Sequence, residues 1–191
     1  MEIESSSFTE RDLRDFFAAV RTYEDARPVD GLTVVERLEA SLGRLGELVT
    51  FMGVLPPPEQ TDQTARDWTP REVLAHIVLF SQVLGWGMWA IGSGEQDEIP
   101  LMSFLILRDV SGAQFARMPA DELLAIARTE LTSSIEFLCM ADADQMGRLG
   151  KVGPFELTAE EIGELLLCAH LELHVDQLER SLGACWKTAA P

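Results

Sequence analysis

The residues best suited to chemistry in this chain are its three histidines, His76, His170 and His174. His170 and His174 are four residues apart in a stretch with the apolar periodicity of a helix. Four residues is slightly more than one helical turn, so both imidazoles project from one helix face, a spacing that suits two ligands of one metal ion. His76 belongs to a separate predicted helix and completes a candidate set of three ligands.

A helical wheel places His170 and His174 near the middle of an apolar arc. Leucines flank them on that arc: Leu166, Leu167, Leu173 and Leu178. A buried imidazole left without a partner costs about 1–3 kcal/mol, whereas a divalent ion uses neutral imidazoles as ligands. The alternative is that each histidine donates an ordinary hydrogen bond to backbone or to Gln177. Because all three histidines take core-facing positions, the pattern favours a metal site.

Other residues of these two helices are candidates for supporting roles. Gln177 could orient His174 or contact a substrate, and an ordinary amide at the edge of the core is an equal alternative. Phe80 lies on the same side of its helix as His76, and Trp86 is a candidate for the mouth of a pocket, although large apolar residues at helical spacing usually belong to a core. Cys168 is displaced from the histidine face and is interpreted as structural. No catalytic acid, base or nucleophile is identified.

The acidic residues of the last helix are predicted to form a solvated face opposite the histidines. They are Glu161, Glu164, Glu172, Asp176 and Glu179. The stretch also lacks the adjacent glutamate of the H-E-x-x-H motif, so zincin-type hydrolysis is not supported.

The elements that must position these histidines are predicted to be helices. Apolar residues at helical spacing indicate an N-terminal helix at 8–23, followed by long helices that begin near Thr33, Thr69, Pro119 and Thr158. Three of these starts carry a capping box, in which a threonine is followed three residues later by a glutamate. A polar loop is expected up to residue 67, and a short irregular helix at 101–118. The fold class is therefore all-α: an up-down four-helix bundle with an additional N-terminal helix.

Composition restricts the classes of partner. The chain has 191 residues and a formal net charge of −17, which repels phosphate backbones and anionic lipid head groups. We expect neither nucleic-acid nor membrane partners, and the three cysteines without metal-type spacing indicate a cytoplasmic protein. The stretch 73–92 lacks charged residues and is long enough to span a bilayer, but a buried core helix has the same composition.

Two motifs together resemble a known family. Trp68-Thr69-Pro70-Arg71-Glu72-Val73-Leu74-Ala75-His76 and His170-Leu171-Glu172-Leu173-His174-Val175-Asp176-Gln177 look like the DinB/YfiT-like superfamily. The resemblance covers about residues 30–183. It implies a four-helix bundle in which one histidine of the second helix and two of the fourth bind a divalent metal, zinc or nickel, with open coordination positions.

The resemblance also implies a reaction class. Relatives include transferases and isomerases that use a low-molecular-weight thiol, and some hydrolase-like members. We therefore expect a thiol-dependent S-transferase acting on small electrophiles, with a metal-dependent hydrolase or a non-catalytic metal-binding stress-response module as alternatives. Maleylpyruvate isomerases of the family often have glutamate where His170 stands and a second domain, so that activity is not expected.

The expected domain organisation is an N-terminal helical extension at 1–29, a DinB-like bundle at 30–185 and a C-terminal tail at 186–191. The resemblance makes a homodimer a further expectation. A small-molecule substrate is the expected partner.

Overall fold

The computed structural model describes residues 9–27, 31–53, 68–101, 115 and 117–189, with side chains to residue 183. The helices are α1 (Glu10–Ala26), α2 (Val34–Met52), α3 (Pro70–Ser93), α4 (Ala120–Met140), α5 (Ala143–Met146), α6 (Ala159–Glu161) and α7 (His170–Ala189). A π-helical segment, Ile162–Ala169, joins α6 to α7. The strands are β1 (Glu98–Ile99), β2 (Leu149–Val152) and β3 (Phe155–Thr158). The described chain is mostly helical, as the sequence predicts.

Local sequence signals explain where these helices begin. Reciprocal capping boxes start α2 at Thr33, α3 at Thr69 and α6 at Thr158, which confirms the three predicted sites. In each box, the threonine hydroxyl accepts a hydrogen bond from the backbone N–H of the glutamate three residues later. The side chain of that glutamate accepts a hydrogen bond from the backbone N–H of the threonine. Most of the polar loop and of the irregular helix expected at 101–118 lie outside the described residues.

A small sheet corrects the prediction that no strands are present. β1 pairs parallel with β2, and β2 pairs antiparallel with β3. The turn between β2 and β3 contains Gly153 at a φ of 58°, a left-handed conformation that favours glycine. This hairpin leads the chain into α6.

The helix directions differ from a simple up-down succession. Arg71 at the start of α3 donates a hydrogen bond to the carbonyl of Met118, just before α4. Further along, Gln82 donates to Glu130, and Gly92 lies against Phe137. Contacts therefore advance together along both helices, so α3 and α4 run parallel. The predicted up-down order does not hold for this pair, because the connection from residue 94 to 119 is long enough to return the chain.

Side-chain contacts also give the directions of the other long helices. Arg37 of α2 pairs with Glu172, and Arg44 with Asp176 and Glu179, so α2 and α7 also run parallel. His76 lies beside His170 while Met88 lies beside Gly163, so α3 and α7 run antiparallel. This crossing brings the histidines together.

One hydrophobic core includes residues of every long helix and of α1. Leu13 and Phe17 of α1 belong to it together with residues of α2, α3, α4 and α7. The described part of the predicted N-terminal extension, helix α1, is thus packed into the core. Helix α3 is long and apolar enough to cross a membrane, with a mean hydropathy of 1.5 in its most apolar window. However, 67% of that window is buried inside the protein, as in the core helix of a globular domain.

Candidate metal centre

The three histidines meet where α3 crosses the start of α7. Proline at the first position of α3 and the Thr69 capping box fix the helix start, which places His76 in its second turn. His170 and His174 lie in the first turns of α7, immediately after the π-helical segment. A π-helical turn is a frequent feature of functional sites, since it changes the direction of the side chains that follow it.

The histidine ligand atoms form a compact cluster. One ring nitrogen from each of His76, His170 and His174 lies within 4.8 Å of the other two. The Nε2 atoms of His76 and His170 are 3.2 Å apart. With zinc–nitrogen distances of about 2.0–2.1 Å, two ligands of a tetrahedral ion are about 3.3–3.4 Å apart. The observed separation therefore fits shared coordination, and it equally fits a hydrogen bond between two neutral rings.

A hydrogen bond fixes the orientation of His174. Its Nδ1 lies 2.7 Å from the side-chain oxygen Oε1 of Gln177, so Nδ1–H donates and Nε2 keeps a free lone pair. Metal-ligating histidines usually donate their second ring N–H in this way. The prediction that Gln177 could orient His174 agrees with this contact.

The surroundings keep the rings of His170 and His174 neutral. Burial is the main cause that lowers the pKa of His170 well below its usual value, and the nearby His174 and His76 lower it further. Burial also lowers the pKa of His174 to about 4, against the opposing effect of the hydrogen bond to Gln177. Neutral imidazole is the form that binds a metal ion, so the donor set fits a divalent transition metal at neutral pH.

Aromatic rings surround the histidines. The ring centroid of Phe80 lies 4.3 Å from that of His76 and 5.0 Å from that of His170. Trp68 lies 4.7 Å from His76 and stacks near-parallel to His174 at 6.0 Å, while Phe16 of α1 meets the edge of His170 at 5.1 Å. Phe80 therefore contacts two of the three histidines. Trp68 and Phe16 also contact the histidines.

Trp86 lies apart from this cluster. It is 41% exposed and ten residues beyond His76 on the same helix, which is about 15 Å along the axis. A cavity of about 10 Å³ lies against the histidines on the core side, and Trp86 does not line it. The lining residues are Ile77, Phe80, Ser81, Leu84, Leu167, His170, Leu171 and His174.

The predicted solvated face of the last helix is partly an ion-pair interface, which corrects the sequence interpretation. Glu172, between the two histidines in sequence, accepts hydrogen bonds from Arg37 Nε and Nη2 at 3.0 and 2.7 Å. Arg37 is 3% exposed and also pairs with Glu24 of α1. Asp176 accepts a hydrogen bond from Tyr23 and pairs with Arg44. These carboxylates contact α1 and α2, which cover that face.

Cys168 takes no part in the donor set. It is buried beside Arg37 and Glu172, and burial is the main cause that raises the pKa of its thiol to about 12. A thiol in that state is protonated at neutral pH and is a poor nucleophile. The structural interpretation of Cys168 agrees with this environment.

Sequence reasoning missed three features of the centre: the π-helical segment, the contact from Phe16 and the cavity residue Ser81. The segment Ile162–Ala169 has an ordinary helix-forming sequence, which carries no signal for the wider turn. Phe16 lies on the apolar stripe of α1, but the stripe does not say which histidine it covers. Ser81 is five residues after His76, and its polarity within the uncharged stretch 73–92 was the available signal.

Comparisons of the chain with protein-family models, with curated proteins and with solved structures each find no match. The resemblance to the DinB/YfiT-like superfamily therefore depends on the motifs around His76, His170 and His174 alone.

Proposed function

We propose that His76, His170 and His174 bind one divalent transition-metal ion, zinc or nickel, and that this ion is the centre of a small-molecule enzyme. The observation that carries the proposal is the mutual approach of the three ring nitrogens to within 4.8 Å. The hydrogen bond from His174 to Gln177 supports it, because it leaves Nε2 as the donor atom.

The fold that we propose is a four-helix bundle of the DinB/YfiT-like type, formed by α2, α3, α4 and α7, with α1 packed against it. The first and last of these helices run one way and the two middle helices run the other. In such a bundle, the ligands of one ion are side chains on facing helices. Here the facing helices are α3 and α7.

The reaction that we propose is transfer of a low-molecular-weight thiol to a small electrophile. A divalent ion lowers the pKa of a bound thiol, which supplies a thiolate at neutral pH. The aromatic rings of Trp68, Phe80 and Phe16 would exclude water from the reacting groups and pack against an apolar electrophile. The preference for thiol transfer over hydrolysis comes from the resemblance to the DinB/YfiT-like superfamily.

The partners that we propose follow from the net charge of the chain. A formal net charge of −17 disfavours nucleic acid and anionic membranes as partners, so a small molecule is the expected substrate. A homodimer is a further proposal, and sedimentation of the purified protein tests it.

Metal content tests the first step. The wild-type protein, purified without chelator, should contain about one equivalent of zinc or nickel by elemental analysis, and His76→Ala should contain much less. Gln82→Ala is the matched control, because it removes a partly buried polar side chain from the same helix. If the wild type contains no transition metal and takes up none on titration, the proposal is wrong.

Thiol dependence tests the reaction. The metal-loaded protein is mixed with an activated aryl halide, with and without a low-molecular-weight thiol. We expect conjugation that requires the thiol and is lost in His76→Ala. Turnover of an activated ester without thiol would instead favour the hydrolase, and a loaded protein inactive in both assays would favour a binding module.

A further inference from the structure

The small cavity on the core side of the histidines contains a hydroxyl that helix geometry does not explain. Ser81 is 3% exposed and lines this cavity with His170 and His174. Among the described residues, no hydrogen-bond partner is found for its hydroxyl. Ser134 and Ser181, also in helices, donate to the carbonyl four residues earlier, which is the usual solution for a helical serine. Ser81 therefore differs from Ser134 and Ser181.

One ring nitrogen of His170 also lacks a hydrogen-bond partner among the described residues. Its Nε2 faces His76 at 3.2 Å, and the part of the chain that the structure describes offers no partner for its Nδ1. The equivalent Nδ1 of His174 donates to Gln177. A metal-ligating histidine almost always donates its second ring N–H to a carboxylate, a carbonyl or a water. His170 therefore needs an acceptor in the space beside it.

The size of the cavity decides what that acceptor is. Its volume of about 10 Å³ is room for a single water, and no substrate fits there. A buried water is stable when it has about two to four polar partners, and the two groups without a partner, Ser81 Oγ and His170 Nδ1, both belong to residues that line this space. The remaining lining residues other than His174 are apolar, so they would leave the water no competing partner.

We propose that the cavity holds one ordered water, which accepts a hydrogen bond from His170 Nδ1–H and shares a second with the Ser81 hydroxyl. Ser81 is then a positioning residue for His170, as Gln177 is for His174. The proposal deepens the proposed metal site and depends on it for its effect on metal affinity, while the water bridge itself is a property of the metal-free protein.

The same assignment fixes the side from which a substrate approaches. The core side of His170 is filled by one water, and Phe16 covers the edge of this ring from α1. His76 and His174 are only partly buried, and the indole of Trp68 beside them is 37% exposed. A substrate would therefore reach the centre past Trp68.

Zinc affinity and an X-ray structure test the proposal together. Zinc affinity is measured by competition with a chromophoric chelator for the wild type, for Ser81→Ala and for Ser134→Ala. Ser134 is the matched control, since it is equally buried but hydrogen-bonded within its own helix. We expect Ser81→Ala to bind zinc on the order of tenfold more weakly, as is typical of a lost outer hydrogen bond, with Ser134→Ala unchanged. Equal affinities for Ser81→Ala and Ser134→Ala would overturn the positioning role while leaving the metal site intact.

The crystal structure of the metal-free wild type decides the case in which no variant binds zinc. We expect electron density for a water within hydrogen-bond distance of Ser81 Oγ and His170 Nδ1, and its loss in Ser81→Ala. A wild-type cavity without density would overturn the proposal. An absence of zinc binding with the water present would refute the proposed function and retain the bridge.

Discussion

At the scale of single residues, His174 is defined by its bond to Gln177. The Nδ1–H that donates to Gln177 Oε1 at 2.7 Å selects the tautomer whose Nε2 is free to bind an ion. Replacing Gln177 by leucine removes the acceptor at nearly constant volume. The imidazole can then rotate and change tautomer, so we expect zinc affinity to fall by about 10- to 100-fold.

Chelator competition measures this loss, and Gln177→Glu is the informative control. A carboxylate also accepts from Nδ1–H, so Gln177→Glu should keep at least the affinity of the wild type. If Gln177→Leu binds zinc as tightly as the wild type, the hydrogen bond does not position the ligand.

The depressed pKa of His174 predicts how the metal-free protein responds to acid. Burial lowers this pKa to about 4, whereas the unfolded chain has the usual value of about 6.5. Between these values the unfolded state binds the proton and the native state does not, so the free energy of unfolding falls as the pH falls. The contribution from His174 is about 2 kcal/mol between pH 7 and pH 5.

Denaturant unfolding of the wild type and of His174→Asn, both metal-free, checks this expectation. Asparagine does not titrate, so the variant should lose less stability between pH 7 and pH 5. Parallel pH profiles for the two proteins would show that His174 does not titrate as its burial implies.

At the scale of helices, Arg37 joins three elements. Its guanidinium makes two-pronged contacts to Glu24 of α1 and to Glu172 of α7 from a buried position on α2. Replacing Arg37 by methionine leaves Glu172 without a counter-ion and Glu24 with only Arg27 at 3.5 Å. Removal of one partner from a buried pair costs about 3–5 kcal/mol. We expect Arg37→Met to lose about that much stability in denaturant unfolding.

Arg44, which is seven residues after Arg37 on α2, supplies the matched control. It pairs with Asp176 and Glu179, but its side chain is 44% exposed, and exposed pairs contribute about 0–1 kcal/mol. Arg44→Met should therefore be nearly neutral. Similar losses in both variants would mean that burial does not distinguish the two arginines.

The helices were predictable because their signals are local. Thr33, Thr69 and Thr158 each precede a glutamate by three residues, and all three begin helices as expected. The hairpin of β2 and β3 was missed because its strands have only four residues each, and β2 contains Gly150, so the alternation is too short to detect. The parallel course of α3 and α4 depends on a long connection, whose path no local signal specifies.

The candidate centre was also predictable in part. The i, i+4 spacing placed His170 and His174 on one face, and the wheel pointed that face to the core, where His76 lies 3.2 Å from His170. Phe16 and Glu172 were not predictable in their roles, because these depend on where α1 and α2 pack against the last helix. Docking is a tertiary property, and an amphipathic helix alone does not choose its partner.

At the scale of the whole molecule, the centre connects segments that are distant in sequence. His76 and His170 are 94 residues apart, and they join the antiparallel helices α3 and α7 near the docked helix α1. An ion held by both helices binds only the native arrangement, because the unfolded chain does not hold the three rings together. Metal binding should therefore stabilise the whole fold.

Thermal unfolding tests this linkage. Zinc at a free concentration of about 100 times its dissociation constant should stabilise the protein by about 2.7 kcal/mol. For a chain of this size, this corresponds to a rise in Tm of about 5–11 °C relative to the chelator-treated protein. His76→Ala should lose most of the rise, since one of the two bridged helices no longer contributes a ligand. Magnesium, which prefers oxygen ligands, should leave Tm unchanged, and an equal rise with magnesium would place the binding site on the acidic surface instead.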